Sequence, residues 1–154
     1  MDLAHPTDIA HDALEVIRRK VRGGQIYVTP TVLDELATKA QYDPSPRKRA
    51  DARKALASIA TWKILTLELT DLQSTFARLT ADKLLDRGVV LAEERNDALI
   101  LAEAAVLDCQ LLITSDSDLR AADPARLALV LRECQMPMVV IRTPGDIVRE
   151  FAGR

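Results

Sequence analysis

Short runs of aliphatic and β-branched residues alternate with longer amphipathic segments in this chain, and that alternation constrains the fold more than any other feature. Gln110-Leu111-Leu112-Ile113-Thr114 is a continuous apolar run, and residues 138–142 repeat the pattern. A run that is apolar at every position fits a strand buried on both faces, as in parallel sheets covered by helices. Gln25-Ile26-Tyr27-Val28-Thr29 reads as a further strand, as does 63–69 with Ile64, Leu65, Leu67 and Leu69. Helical periodicity fills the intervals. Over 7–22, Ile9, Ala13, Ile17 and Val21 recur at a spacing of four with Leu14 beside them, and Gly23-Gly24 ends the helix. Helices are also expected over 31–39, 48–61, 71–86, 96–108, 124–134 and 144–151. Pro30 sits where a first helical residue would, and Thr29 is placed to cap it. Strands alternating with helices imply βα units, a parallel sheet and helices on both faces, which is an α/β fold. The two prolines of Tyr42-Asp43-Pro44-Ser45-Pro46 mark a loop, because what precedes them is too short to fold alone. All 154 residues are expected to form one domain.

Charge and the rarer residues remove whole classes of function. There are 23 acids against 21 bases, for a net charge of -2, which excludes a strongly basic nucleic-acid coat or a polybasic membrane binder. No apolar run approaches the roughly 20 residues that span a bilayer, and the opening Met1-Asp2 does not resemble a signal peptide. Cys109 and Cys134 lie far apart without CxxC spacing, so a disulfide framework or thiolate zinc site is not expected and a cytoplasmic setting fits. Both read as small core residues. His5 and His11 are the two histidines, expected at the surface, and neither belongs to an HExxH site. Aromatic residues are 3% of the chain, too few for a base-stacking sheet of the RRM or OB kind. Carboxylate is what remains, so any metal site should be built from oxygen ligands.

In open α/β sheets the site lies beyond the carboxyl ends of the strands. Asp116 emerges there after the 110–114 strand, in Thr114-Ser115-Asp116-Ser117-Asp118. Glu35 lies in the second turn of the helix that follows the 25–29 strand, and Asp97 at the start of an apolar helix. Carboxylates gathered together repel one another and are tolerated chiefly around a cation, for which Mg2+ or Mn2+ is the natural choice. Each acid also has an ordinary reading. Asp116 and Asp118 can cap a short helix, Asn96-Asp97 can be a cap with a favourable first-turn charge, and Asp34-Glu35 can be a solvated face. Glu103, inside an apolar helix, would snorkel or pair at an edge. Two basic runs, Arg18-Arg19-Lys20 with Arg22 and Arg47-Lys48-Arg49 with Arg53-Lys54, either track an RNA backbone or form solvated helix faces.

Three segments carry a family resemblance. Pro30-Thr31-Val32-Leu33-Asp34-Glu35-Leu36 resembles the proline-to-glutamate segment of PIN domains, and Asn96-Asp97-Ala98-Leu99-Ile100-Leu101-Ala102 resembles their third-acid helix. Leu111-Leu112-Ile113-Thr114-Ser115-Asp116-Ser117-Asp118-Leu119 resembles their strand-then-TxD segment, and Val139-Val140-Ile141-Arg142-Thr143-Pro144 their last strand and turn. The ordered combination runs from about residue 7 to 152. It implies a doubly wound α/β sandwich with a central parallel sheet, and a Mg2+- or Mn2+-dependent ribonuclease of the kind that serves as toxin in a toxin–antitoxin pair. The implied partners are an RNA substrate and an antitoxin protein; apart from the resemblance, apolar helices near the first element are placed to pair two copies as a homodimer, and no membrane is expected. By position Glu35, Asp97 and Asp116 match the second, third and fourth acids, Asp118 matches an acid of many members, and Thr114 with Ser115 lines the site. The family's first strand, which ends in the first acid, has no match in Met1-Asp2-Leu3-Ala4-His5-Pro6. The alternative is a PIN fold with a degenerate site that acts as a binding module through a protein partner.

Overall fold

Prolines and short polar side chains start the helices of this chain. Its computed structural model describes residues 8–20 and 24–151. In chain order the described elements are α1 (Asp8–Lys20), β1 (Tyr27–Val28), α2 (Pro30–Tyr42), α3 (Pro46–Thr61), β2 (Leu65–Thr66), α4 (Asp71–Asp86), α5 (Arg95–Val106), β3 (Leu111–Ile113), α6 (Ser117–Ala121), α7 (Pro124–Glu133), β4 (Val140–Arg142) and α8 (Pro144–Phe151). Ser45 accepts a hydrogen bond from the Lys48 amide ahead of Pro46, and Asp123 accepts from Ala125 and Arg126 ahead of Pro124. Thr70 and Gln73 form a reciprocal capping box at α4. Thr29 occupies the cap position of α2, but its hydroxyl makes no capping bond and is buried without a partner, contrary to expectation. Pro30, with its fixed φ, begins that helix without it. At the far end of α4, Gly88 takes φ +61, the left-handed conformation that lets Val89 N reach back to Leu84 O at 2.9 Å.

The chain divides into two compact units, one made by the described residues up to Leu67 together with those from Thr143, the other by Glu68–Arg142. In the first, β1 and β2 pair in parallel with Tyr27 opposite Leu65 and Val28 opposite Thr66. Val28, Ala55, Ile59 and Ile64 form its buried cluster, α2 packs on α3, and α1 packs on α8. In the second, β3 and β4 pair in parallel with Leu112 opposite Ile141. Its core is Leu84, Leu101, Val130, Leu131 and Val139, closed by α4 against α5 and α7. The parallel pairs and intervening helices bear out the α/β class.

Several expected boundaries and burials are corrected. The strands hold two or three residues each rather than five to seven, because each ladder is flanked by irregular backbone and has one partner strand among the described residues. The residues of β3 are half-buried, and Val140 of β4 is 40% exposed, so these strands are not buried on both faces. Much of the burial falls instead on flanking residues, Ile64 before β2 and Val139 before β4. On α1 the buried stripe is Ala10, Ala13, Leu14 and Val16, and Ile9 faces outward at 52% exposure. Packing against α8 selects that face; Val21 and Gly23 lie outside the described residues. Helix α2 runs on to Tyr42, α3 begins at Pro46, and α5 starts at Arg95 and ends before Asp108, whose φ is +55. Glu103 is buried at 5% exposure rather than snorkelling at an edge.

Candidate metal centre

Helix starts carry partial positive charge and unsatisfied amides, so acids gather there. In the second unit two such starts bring carboxylates together. Glu94 is the N-cap residue of α5 and makes no side-chain capping bond, while Asp97 lies in the first turn of the same helix. Three residues apart, they are neighbours on the helix surface. Asp118 lies in the first turn of α6. One carboxylate oxygen from each of Glu94, Asp97 and Asp118 lies within 4.8 Å of the other two. Glu94 and Asp97 are half-buried and Asp118 is exposed, so the cluster is open to solvent on one side. Arg95, the neighbouring cation in sequence, pairs with Asp82 of α4 at 3.0 Å.

The TxD turn fixes the α6 side of this cluster. Thr114 is buried; its amide donates to Arg142 O and its hydroxyl accepts from the Asp116 amide, both at 3.0 Å. That anchors the turn to β4. The Asp116 carboxylate caps α6, accepting from Asp118 N at 2.8 Å and Leu119 N at 3.3 Å. Capping by Asp116 thus fixes the α6 start on which Asp118, two residues on, comes near Glu94 and Asp97. Ser115 is exposed beside Thr114.

A family model for the PIN domain matches residues 6–124. The chain belongs to the PIN-domain family. Searches of curated proteins and of solved structures return no match. PIN domains are nuclease-like and generally use a divalent metal, and the donor set here fits one in kind: three carboxylates, hard oxygen ligands, gathered within 4.8 Å of one another. The family match includes Glu35, Asp97, Asp116 and Asp118 and ends before β4 and α8.

Of the acids expected from sequence, Asp97 and Asp118 are brought together, and Asp116 is the cap of the helix that carries Asp118. Glu35 belongs to the first unit, half-buried on α2, where it pairs with Lys39 at 3.9 Å. Sequence reasoning missed Glu94. Its signal is the spacing of three from Asp97, hidden because the sequence pattern places the helix start at Asn96 whereas α5 opens at Arg95. The two cysteines are half-buried thiols; burial, and then the charge of Asp108, pushes the Cys109 thiol up, so a thiolate ligand is disfavoured there. His11 is exposed and meets Trp62 edge-on at 6.3 Å between ring centroids. His5 lies outside the described residues.

Proposed function

We propose that this PIN-family chain is a Mg2+- or Mn2+-dependent ribonuclease. The observation that carries the reading is the convergence of Glu94, Asp97 and Asp118 at two helix starts in a family of nuclease-like domains. In this reading Glu94, Asp97 and Asp118 are direct oxygen ligands. Asp116 holds the α6 turn and reaches the same region through water, and Thr114 with Ser115 lines the substrate side. Glu35 keeps the role of second acid on its family position alone. A divalent ion held by these acids would supply the charge that activates water and offsets the negative charge developing on a phosphodiester. The residues' own part is to orient that ion, to hold the turn rigid through the Thr114 and Asp116 bonds, and to keep one side open to a polymeric substrate.

The setting that fits is the toxin half of a toxin–antitoxin pair in the cytoplasm, with an antitoxin protein as partner and the family's doubly wound sandwich as the fold. No helix among the described residues is long and apolar enough to cross a membrane. A second reading, a PIN fold that binds a protein partner without turnover, draws on the commitment of the Asp116 carboxylate to capping. The deciding experiment is cleavage of labelled RNA by the purified full chain in Mn2+ or Mg2+, with and without EDTA. The ribonuclease reading expects metal-dependent cleavage that EDTA stops. Absence of cleavage in both metals removes it and leaves the binding module.

A further inference from the structure

The chain as a whole is slightly acidic, yet α3 is strongly basic. Helix α3 carries five bases, Arg47, Lys48, Arg49, Arg53 and Lys54, against the single acid Asp51, a local charge of +4 in a chain of net charge -2. The buried side of α3 is Ala52, Ala55 and Ile59. Arg47, Lys48, Arg53 and Lys54 are all exposed, and none forms an ion pair among the described residues, whereas Asp51 is half-buried. Arg49 is different: its guanidinium donates to Asp43 O at 2.6 Å and so locks the α2–α3 turn. The other acid at that turn, Asp43, is occupied in accepting from Ser45 N at 2.9 Å. Arg47 and Lys54 are two helical turns apart on one face, about 10 Å along the axis.

A second, independent feature lies at the same tip. Tyr42, the last residue of α2, is 76% exposed, the most exposed of the large hydrophobic side chains among the described residues. An aromatic ring left in water costs apolar burial, and here it stands at the end of the helix hairpin from which the basic face begins. Exposed aromatic side chains beside a basic track are how single-stranded nucleic acid is held without sequence readout: bases stack, phosphates pair. An acidic protein surface would use the bases but would have no need of the ring.

We propose that the tip of the α2–α3 hairpin is a docking surface for single-stranded RNA, with Tyr42 stacking on a base and Arg47, Lys48, Arg53 and Lys54 meeting the phosphates. This deepens the ribonuclease reading by adding a substrate-holding surface. The test is fluorescence anisotropy of a labelled unstructured RNA with the full chain in EDTA, where nothing is cut. Four phosphate contacts predict a slope of about -3 in log affinity against log salt, falling to about half when Arg47→Ala and Lys54→Ala are combined. Tyr42→Ala should weaken binding about 5-fold or more with the salt slope unchanged. A control of equal charge change at exposed positions of α4 and α7, Arg78→Ala with Arg132→Ala, should leave both quantities as they were. In the binding assay the proposal is overturned by equal losses in the control, by no effect of Tyr42→Ala, or by equally tight binding of poly-glutamate through the same residues. The outcomes separate from those of the parent reading. RNA that is bound through this tip but never cut in Mn2+ removes the ribonuclease and keeps the surface. RNA that is cut with unchanged KM by the Arg47 and Lys54 variants keeps the ribonuclease and removes the surface.

Discussion

Neutralising Glu94 should stabilise the metal-free protein, although the side chain lies at a helix start where a negative charge is favourable. Its carboxylate has two others within 4.8 Å and makes no capping bond. Two unit charges at that distance repel by about 0.9 kcal/mol at the dielectric of water, so two neighbours cost Glu94 roughly 1.7 kcal/mol. Solvent reaches the cluster, so the water limit is the appropriate one. Against this, an acid at a helix start gains about 0.3–1 kcal/mol from the helix dipole. Glu94→Gln removes both effects, and the balance is a gain of about 1 kcal/mol, or roughly 2–4 °C in Tm for a chain of this size. The gain is electrostatic and should vanish near 1 M salt, where the Debye length is about 3 Å. Urea denaturation in EDTA, at low and high salt, measures it. A variant that is less stable than wild type at low salt, or whose gain does not respond to salt, would refute the idea that these acids are held against their own repulsion.

Leu101 is fully buried at the middle of α5. Leu101→Ala should cost about 3–5 kcal/mol in urea denaturation, the range for a large-to-small change in a closed core. Gly88→Ala places a Cβ with room around it, its nearest neighbour being Arg126 Nη1 at 3.7 Å, but in a left-handed backbone. The expected loss is therefore backbone strain alone, about 1–2 kcal/mol by the same assay. Asp146 accepts from Thr143 N, its amide bonds the Thr143 hydroxyl, and Arg149 pairs with it. The Thr143 bonds chiefly, with Arg149 contributing, hold its carboxyl below the ordinary aspartate range. A depressed carboxylate contributes stability at neutral pH that is lost as pH falls through that lowered range. Asp146→Ala should therefore lower Tm at pH 7 and make the acid limb of the stability curve shallower, and an unchanged limb contradicts the assignment.

Much of the fold was legible because its signals were local. Pro30, Pro124 and Pro144 marked helix starts, Arg87-Gly88 an end, and the 71–86 and 144–151 helices have the bounds their periodicity gives. What sequence could not reveal was tertiary. Burial of Ala10 and Ala13 rather than Ile9 depends on where α8 packs, and the shortness of β1 and β2 on how long two neighbouring strands stay parallel. The site was legible in its residue types and order, from the TxD turn and Asp97. Its division of labour was not, because a capping carboxylate and a ligand carboxylate look alike in sequence. Asp116 and Asp118 differ only in which of them the α6 amides engage. Glu94 was missed by a one-residue error in a helix start.

Calorimetric titration of Mn2+ into the full chain, beside Asp97→Asn and Glu94→Gln, tests the centre most directly. Wild type should bind Mn2+ saturably, Asp97→Asn should lose that binding, and Glu94→Gln should weaken it clearly. Absence of binding heat in wild type, or equal binding in all three proteins, would contradict this metal centre.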